Sequence, residues 1–152
     1  MSDMPAEDPY NLVRFVRMQE TDYAQALAEI RGGRKRSHWM WYIFPQLEGL
    51  GFSSTSRLYA IHGLDEARAY LDHPVLGPRL RESAEAVLGV EGHTAREIFG
   101  EPDDLKLRSC ATLFARVSPP GSVFHRVLDK YYHGVPDPKT LRLLDVECQE
   151  GK

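Results

Sequence analysis

The residues that could do chemistry gather first in RGGRKRSHWMWYIFPQ, Arg31 to Gln46, where four cations run into two tryptophans. Guanidinium and ammonium groups hold phosphate or carboxylate oxygens, and an indole offers a flat face to a ring, so this junction has the parts of a site for an aromatic anion. If Ser37 caps a helix, the free amides that follow add the positive end of a helix dipole beside Arg34, Lys35 and Arg36. Helical spacing would then put His38, Trp41 and Tyr42 on one face and send Trp39, Met40, Ile43 and Phe44 toward the core. The same residues allow a plainer reading, in which the basic run is a solvated turn and both tryptophans simply pack.

A second constellation lies in GEPDDLKLRSCATLFARV. Pro102 suits the first turn of a helix, and Asp103 and Asp104 sit at its favourable positive end. Asp103 or Asp104 could serve as a general base facing the basic junction, or hold one of its arginines, while Lys106 and Arg108 add cationic groups. Asp104 and Arg108, four apart, could equally form an ion pair on the helix surface. Cys110 reads as a small buried apolar residue. The six histidines do not show the spacing of a helical metal site, GLGFSS lacks the lysine and strand of a phosphate loop, and neither a metal nor a cofactor is expected.

The elements that must position these groups read as helices. DPYNLVRFV and DPKTLRLLD each place Asp before Pro, so Asp8 and Asp137 are expected N-caps. Thr21 is a third candidate, starting a second helix that stops near Gly32. LDEARAYL, LGPRLRESAEAVL, TAREIF and SVFHRVLDKYY all carry apolar residues at three- and four-residue spacing. WMWYIF could be a buried strand, but one strand in a helical chain would lack a partner, and a helix closed by Pro45 is preferred. The expected fold is all-α, a single compact domain of roughly seven to nine short helices, spanning residues 8–147 between a disordered tail at 1–7 and a C-terminal tail at 148–152.

Composition bounds the function. With 152 residues, 42% hydrophobic, the chain can bury a core in one domain. A net charge of −3 argues against a nonspecific nucleic-acid binder, and no run reaches the length that spans a bilayer. Two cysteines and an acidic N-terminus suit a cytoplasmic monomer.

Several blocks carry a resemblance. GRKRSHWMWYIFPQLEGLG, YAIHGLDEARAYLDHPVLGPRL, IFGEPDDLKLRSCATLF and LDKYYHGVPDPKTL resemble the domain-of-unknown-function 1810 family over nearly the whole chain, which implies a mainly helical single domain with no established activity. HPVLGPRLRESAEAVLGVEGHTAREIFG is also similar to a segment of the NADAR family of ADP-ribose-handling N-glycosidases, with Glu91, Phe99 and Gly100 on matching positions. Phe99 stands where that family has tryptophan, Arg96 stands where an acidic residue is expected, and a second glutamate motif has no counterpart. That similarity implies a ligand of ADP-ribose type, with Glu91 as acid or base. The function expected is binding, with or without hydrolysis, of a phosphorylated small molecule of nucleotide or ADP-ribose type. The alternative is a protein interaction module without catalysis.

Overall fold

The structure, a computed structural model, describes residues 8–150, with side chains through Asp145. The tail expected at 1–7 and the last two residues lie outside the described residues. Among the described residues there are nine helices and no strand: α1 Val13–Arg31, α2 Met40–Ile43, α3 Ser54–Leu58, α4 Leu64–Asp72, α5 Leu76–Leu88, α6 Ala95–Phe99, α7 Asp103–Ala115, α8 Val123–Tyr132 and α9 Pro138–Glu150. The fold is all-α, and none of these helices is long and apolar enough to cross a membrane.

Of the two Asp-Pro signals, Asp137 caps its helix as expected, whereas Leu12 and not Asp8 holds the N-cap position of α1. The Asp8 carboxylate accepts from the amides of Leu12 (2.8 Å) and Val13 (3.1 Å) as the chain enters α1. Asp137 Oδ2 accepts from the Thr140 amide (2.9 Å) and hydroxyl (2.6 Å) at the start of α9. Thr21 does not begin a helix. α1 runs unbroken through it for 19 residues, because MQET between Met18 and Thr21 holds neither Gly nor Pro to interrupt the ladder. The helix stops at Gly32, and Gly33, at φ +83°, turns the chain in a conformation that favours glycine.

α2 is only four residues long, with Trp39 at its N-cap and no side-chain cap, so Ser37 does not cap it. Beyond Pro45 the chain makes one isolated parallel bridge, Leu47 to Ile61, rather than a strand. Trp39, Met40, Ile43 and Phe44 are buried as expected. Trp39 and Phe44 both meet the edge of Phe99, at 6.3 and 5.9 Å between ring centroids. A second aromatic row, Phe15, Tyr70, Phe114 and Phe124, runs through the centre at 5.1 to 5.7 Å. α7 carries the middle of the core, packing on α4, α6, α8 and α9. Cys110 lies in its interior, where burial pushes the thiol well above its ordinary value and leaves it unreactive.

The α4–α5 corner is closed by glycine. A Cβ on Gly77 would stand 2.0 Å from the backbone oxygen of Leu71, a contact no side-chain rotation relieves. Gly77→Ala is therefore expected to destabilise the protein by about 1–3 kcal/mol or more, lowering the melting temperature by roughly 2–12 °C in a thermal unfolding scan.

Candidate functional site

The basic run forms one wall of an open groove. Gly32 to Arg36 face His93 and the segment Arg96 to Gly100 across a space of about 570 Å³. The walls are joined where the Lys35 amide donates to the Ile98 carbonyl at 2.6 Å. A capping box shapes the far wall: Thr94 accepts from the Glu97 amide, and Glu97 accepts from the Thr94 amide at 2.8 Å. That amide, with His93 nearby, holds the Glu97 carboxyl below its ordinary value.

The cations are not equivalent. Lys35 is nearly buried, and its Nζ sits 2.9 Å from Asp103 Oδ2 and over the Trp39 ring, so it ties the loop to α7. Arg96 pairs with Glu101 at 2.9 Å, both side chains being exposed. Arg34 and Arg36 are exposed and have no carboxylate partner among the described residues. They are the uncommitted charges of the groove.

Its base is organised by a residue that sequence reasoning missed. Glu29, in the last third of α1, is 6% exposed. One oxygen accepts from the amides of Arg36 (2.8 Å) and Ser37 (3.0 Å) and from the Trp39 indole (2.9 Å). The other accepts from the Ser37 hydroxyl (2.6 Å) and the Gln25 amide (2.7 Å). Burial opposes ionisation, but these hydrogen bonds outweigh it and hold the carboxyl far below its usual range. The anion pocket expected from amides after Ser37 is not formed; the amides that meet a carboxylate are those of Arg36 and Ser37 itself, and the carboxylate is internal.

The other predicted residues divide. Asp103 does meet the basic junction, yet it holds lysines rather than arginines: Oδ1 lies 3.3 Å from Lys106, whose ammonium stands over the Trp41 ring at 5.1 Å. Trp41 and Lys106 line a second groove of about 420 Å³, with Phe52, Leu105 and Lys139. Tyr42 is not on a ligand face. It is buried, its hydroxyl donating to Asp22, and burial together with that carboxylate pushes the phenol up. A four-residue helix is too short to align Trp41, Tyr42 and His38, and His38 stands exposed outside both grooves.

Asp104 and Arg108 do not pair. The Asp104 carbonyl accepts from Tyr132, its Oδ1 is buried without a donor, and Arg108 donates to the carbonyls of Val135 and Pro136, each at 3.0 Å. Glu91 is exposed and lies 3.2 Å from Lys130, away from the basic groove. Neither Asp104 nor Glu91 lines the basic groove. His93 and Arg96, some sixty residues from the basic run, enter the groove through α6, which only its Thr-x-x-Glu cap signalled.

This arrangement can be set beside known proteins. The family model described as "Protein of unknown function (DUF1810)" matches residues 9–144. The chain belongs to that family. The crystal structure of the conserved hypothetical protein Rv1873 from Mycobacterium tuberculosis is 51% identical, covers 91% of this chain and 99% of its own, and superposes with a TM-score of 0.89. No curated protein matches. The helical arrangement is therefore shared with that solved structure.

Proposed function

We propose that the groove between Gly32–Arg36 and α6 binds a phosphorylated small molecule of nucleotide or ADP-ribose type. The observation that carries this reading is the contrast among its cations: Lys35 is committed to Asp103, whereas Arg34 and Arg36 face the groove without a counter-charge among the described residues. Guanidinium forks match phosphate oxygens and are weakly hydrated, so they bind anions at low desolvation cost. His93 supplies a further donor. The groove acts by binding, since Asp103 is saturated by two lysines and Asp104 and Glu91 lie elsewhere. The setting proposed is a cytoplasmic monomer.

The test is thermal stability against ADP-ribose, nicotinamide dinucleotides, nucleotides and sugar phosphates at fixed ionic strength, with Arg36→Ala alongside. A ligand at a hundred times its dissociation constant adds about 2.7 kcal/mol, a shift of roughly 5–11 °C. One ligand class should produce it, the variant should lose it, and added salt should weaken it. Absence of any shift would remove the reading.

A second reading has its own support. Phe52 is 73% exposed and Leu105 53% beside Trp41, with Lys106 and Lys139 at the edge. An acidic protein segment with an apolar anchor would fit that face by charge. It predicts binding lost in Phe52→Ser and unchanged in Arg36→Ala.

A further inference from the structure

Among the described residues lining the basic groove, His93 alone has a side chain that changes charge between about pH 5 and 8. Its ring spans the opening. On the α6 side, Nδ1 lies 3.7 Å from Glu97 Oε1. The opposite edge rests against Gly33, next to Arg34 in the basic run, where an added Cβ would stand 3.2 Å from Cδ2 and 3.5 Å from Nε2. Gly33, at φ +83°, thus leaves the imidazole its place between the walls. The side chain is half exposed, so it meets whatever enters.

Lysine, arginine and an ionised carboxylate keep their charges over that range, so the groups around His93 form a fixed background. Arg96 is offset by Glu101, and beneath the loop Lys35 and Lys106 offset Asp103 and the buried Glu29. Arg34 and Arg36 remain against Glu97, whose carboxyl is held below its ordinary value by the Thr94 amide and by His93. The surplus is therefore one positive charge with His93 neutral and two with it protonated. The ring also changes role. A carboxylate only accepts, so Glu97 draws the proton of the neutral ring to Nδ1 and leaves Nε2 a lone pair beside Gly33; protonation makes Nε2 a donor. We infer that the groove is proton-gated through His93: its hold on the phosphorylated ligand proposed above, a reading on which this inference rests, weakens as pH rises through the histidine range. A bound anion stabilises the charged imidazole, so by linkage binding near neutral pH takes up protons.

The experiment is calorimetric titration of the full chain with ADP-ribose from about pH 5.5 to 8.5 at fixed ionic strength. ADP-ribose has a pyrophosphate diester and no phosphomonoester, so its own charge is constant over this range and any change in affinity belongs to the protein. The affinity should fall roughly 10-fold from the acid to the alkaline end. His93→Gln should bind at the alkaline wild-type level throughout, and Glu97→Gln, which keeps an acceptor for the Thr94 amide, should bind more tightly at the alkaline end. His38→Gln, exposed and outside the groove, should keep the full pH dependence. Binding of equal strength at every pH, or a dependence that survives in His93→Gln or disappears in His38→Gln, overturns the gate and leaves the groove as an anion site. No binding at any pH removes the anion site and the gate together. Should His93→Gln not fold, a flat wild-type profile or the loss in His38→Gln still overturns the gate.

Discussion

Glu29→Ala is expected to cost about 3–5 kcal/mol, because it strands two amides, a hydroxyl and an indole N–H at a site from which water is largely excluded. Against a total stability of roughly 5–15 kcal/mol, that brings the domain near its threshold, and unfolding in urea should show a lower midpoint with little change in slope. The carboxylate also gives the effect a pH signature. Its folded-state value lies below the ordinary 4.5, so its contribution is fully present above that pH and is lost as pH falls toward the folded value. The wild type should therefore lose stability below about pH 4.5, and Glu29→Gln should lose much of that dependence. A variant as stable as wild type would mean that the loop from Gly32 to Trp39 closes without its internal anion.

The second large effect concerns affinity rather than stability. Arg34 and Arg36 are exposed and unpaired among the described residues, so truncating them should leave the melting temperature nearly unchanged. Each charge-assisted hydrogen bond to a phosphate is worth about 1.5–3 kcal/mol, which converts to roughly a 10- to 100-fold loss of affinity per arginine. Calorimetric titration with ADP-ribose should show that loss in Arg34→Ala and Arg36→Ala separately. Lys35→Ala should behave differently, lowering stability through the lost Asp103 contact, since its side chain is only 8% exposed. If all three variants weaken binding alike while staying equally stable, the division between strut and ligand residues is wrong.

Local signals in the sequence carried far. Asp137 acts on the amide its Asp-Pro order assigns it, Cys110 is core, and the basic run does line a groove and meet Asp103. The first two depend on a contact within a few residues and on burial that composition already implies, whereas Lys35 and Asp103 meet only through the tertiary fold. What failed needed the tertiary turn. Ser37 has the chemistry of a cap, yet Glu29 reaches it first, and nothing in AEIRGG distinguishes that glutamate from a solvated helix residue. Thr21 has cap chemistry too, but no breaker precedes it, so the continuing ladder of α1 wins. Trp41 and Tyr42 part because four residues of helix cannot set a face. Likewise the Asp104–Arg108 spacing permits an ion pair, but the carbonyls of Val135 and Pro136 claim the guanidinium.

The most direct measurement is a titration of the labelled protein with ADP-ribose followed by amide and arginine side-chain resonances. Binding at the basic groove predicts saturable shifts at Gly32, Gly33, Arg34 and Arg36, with matching shifts at His93 and Arg96, and none at Arg57 or His62. Shifts confined to the surface around His62 or to the face around Phe52, or no shift at any of these residues, would contradict it.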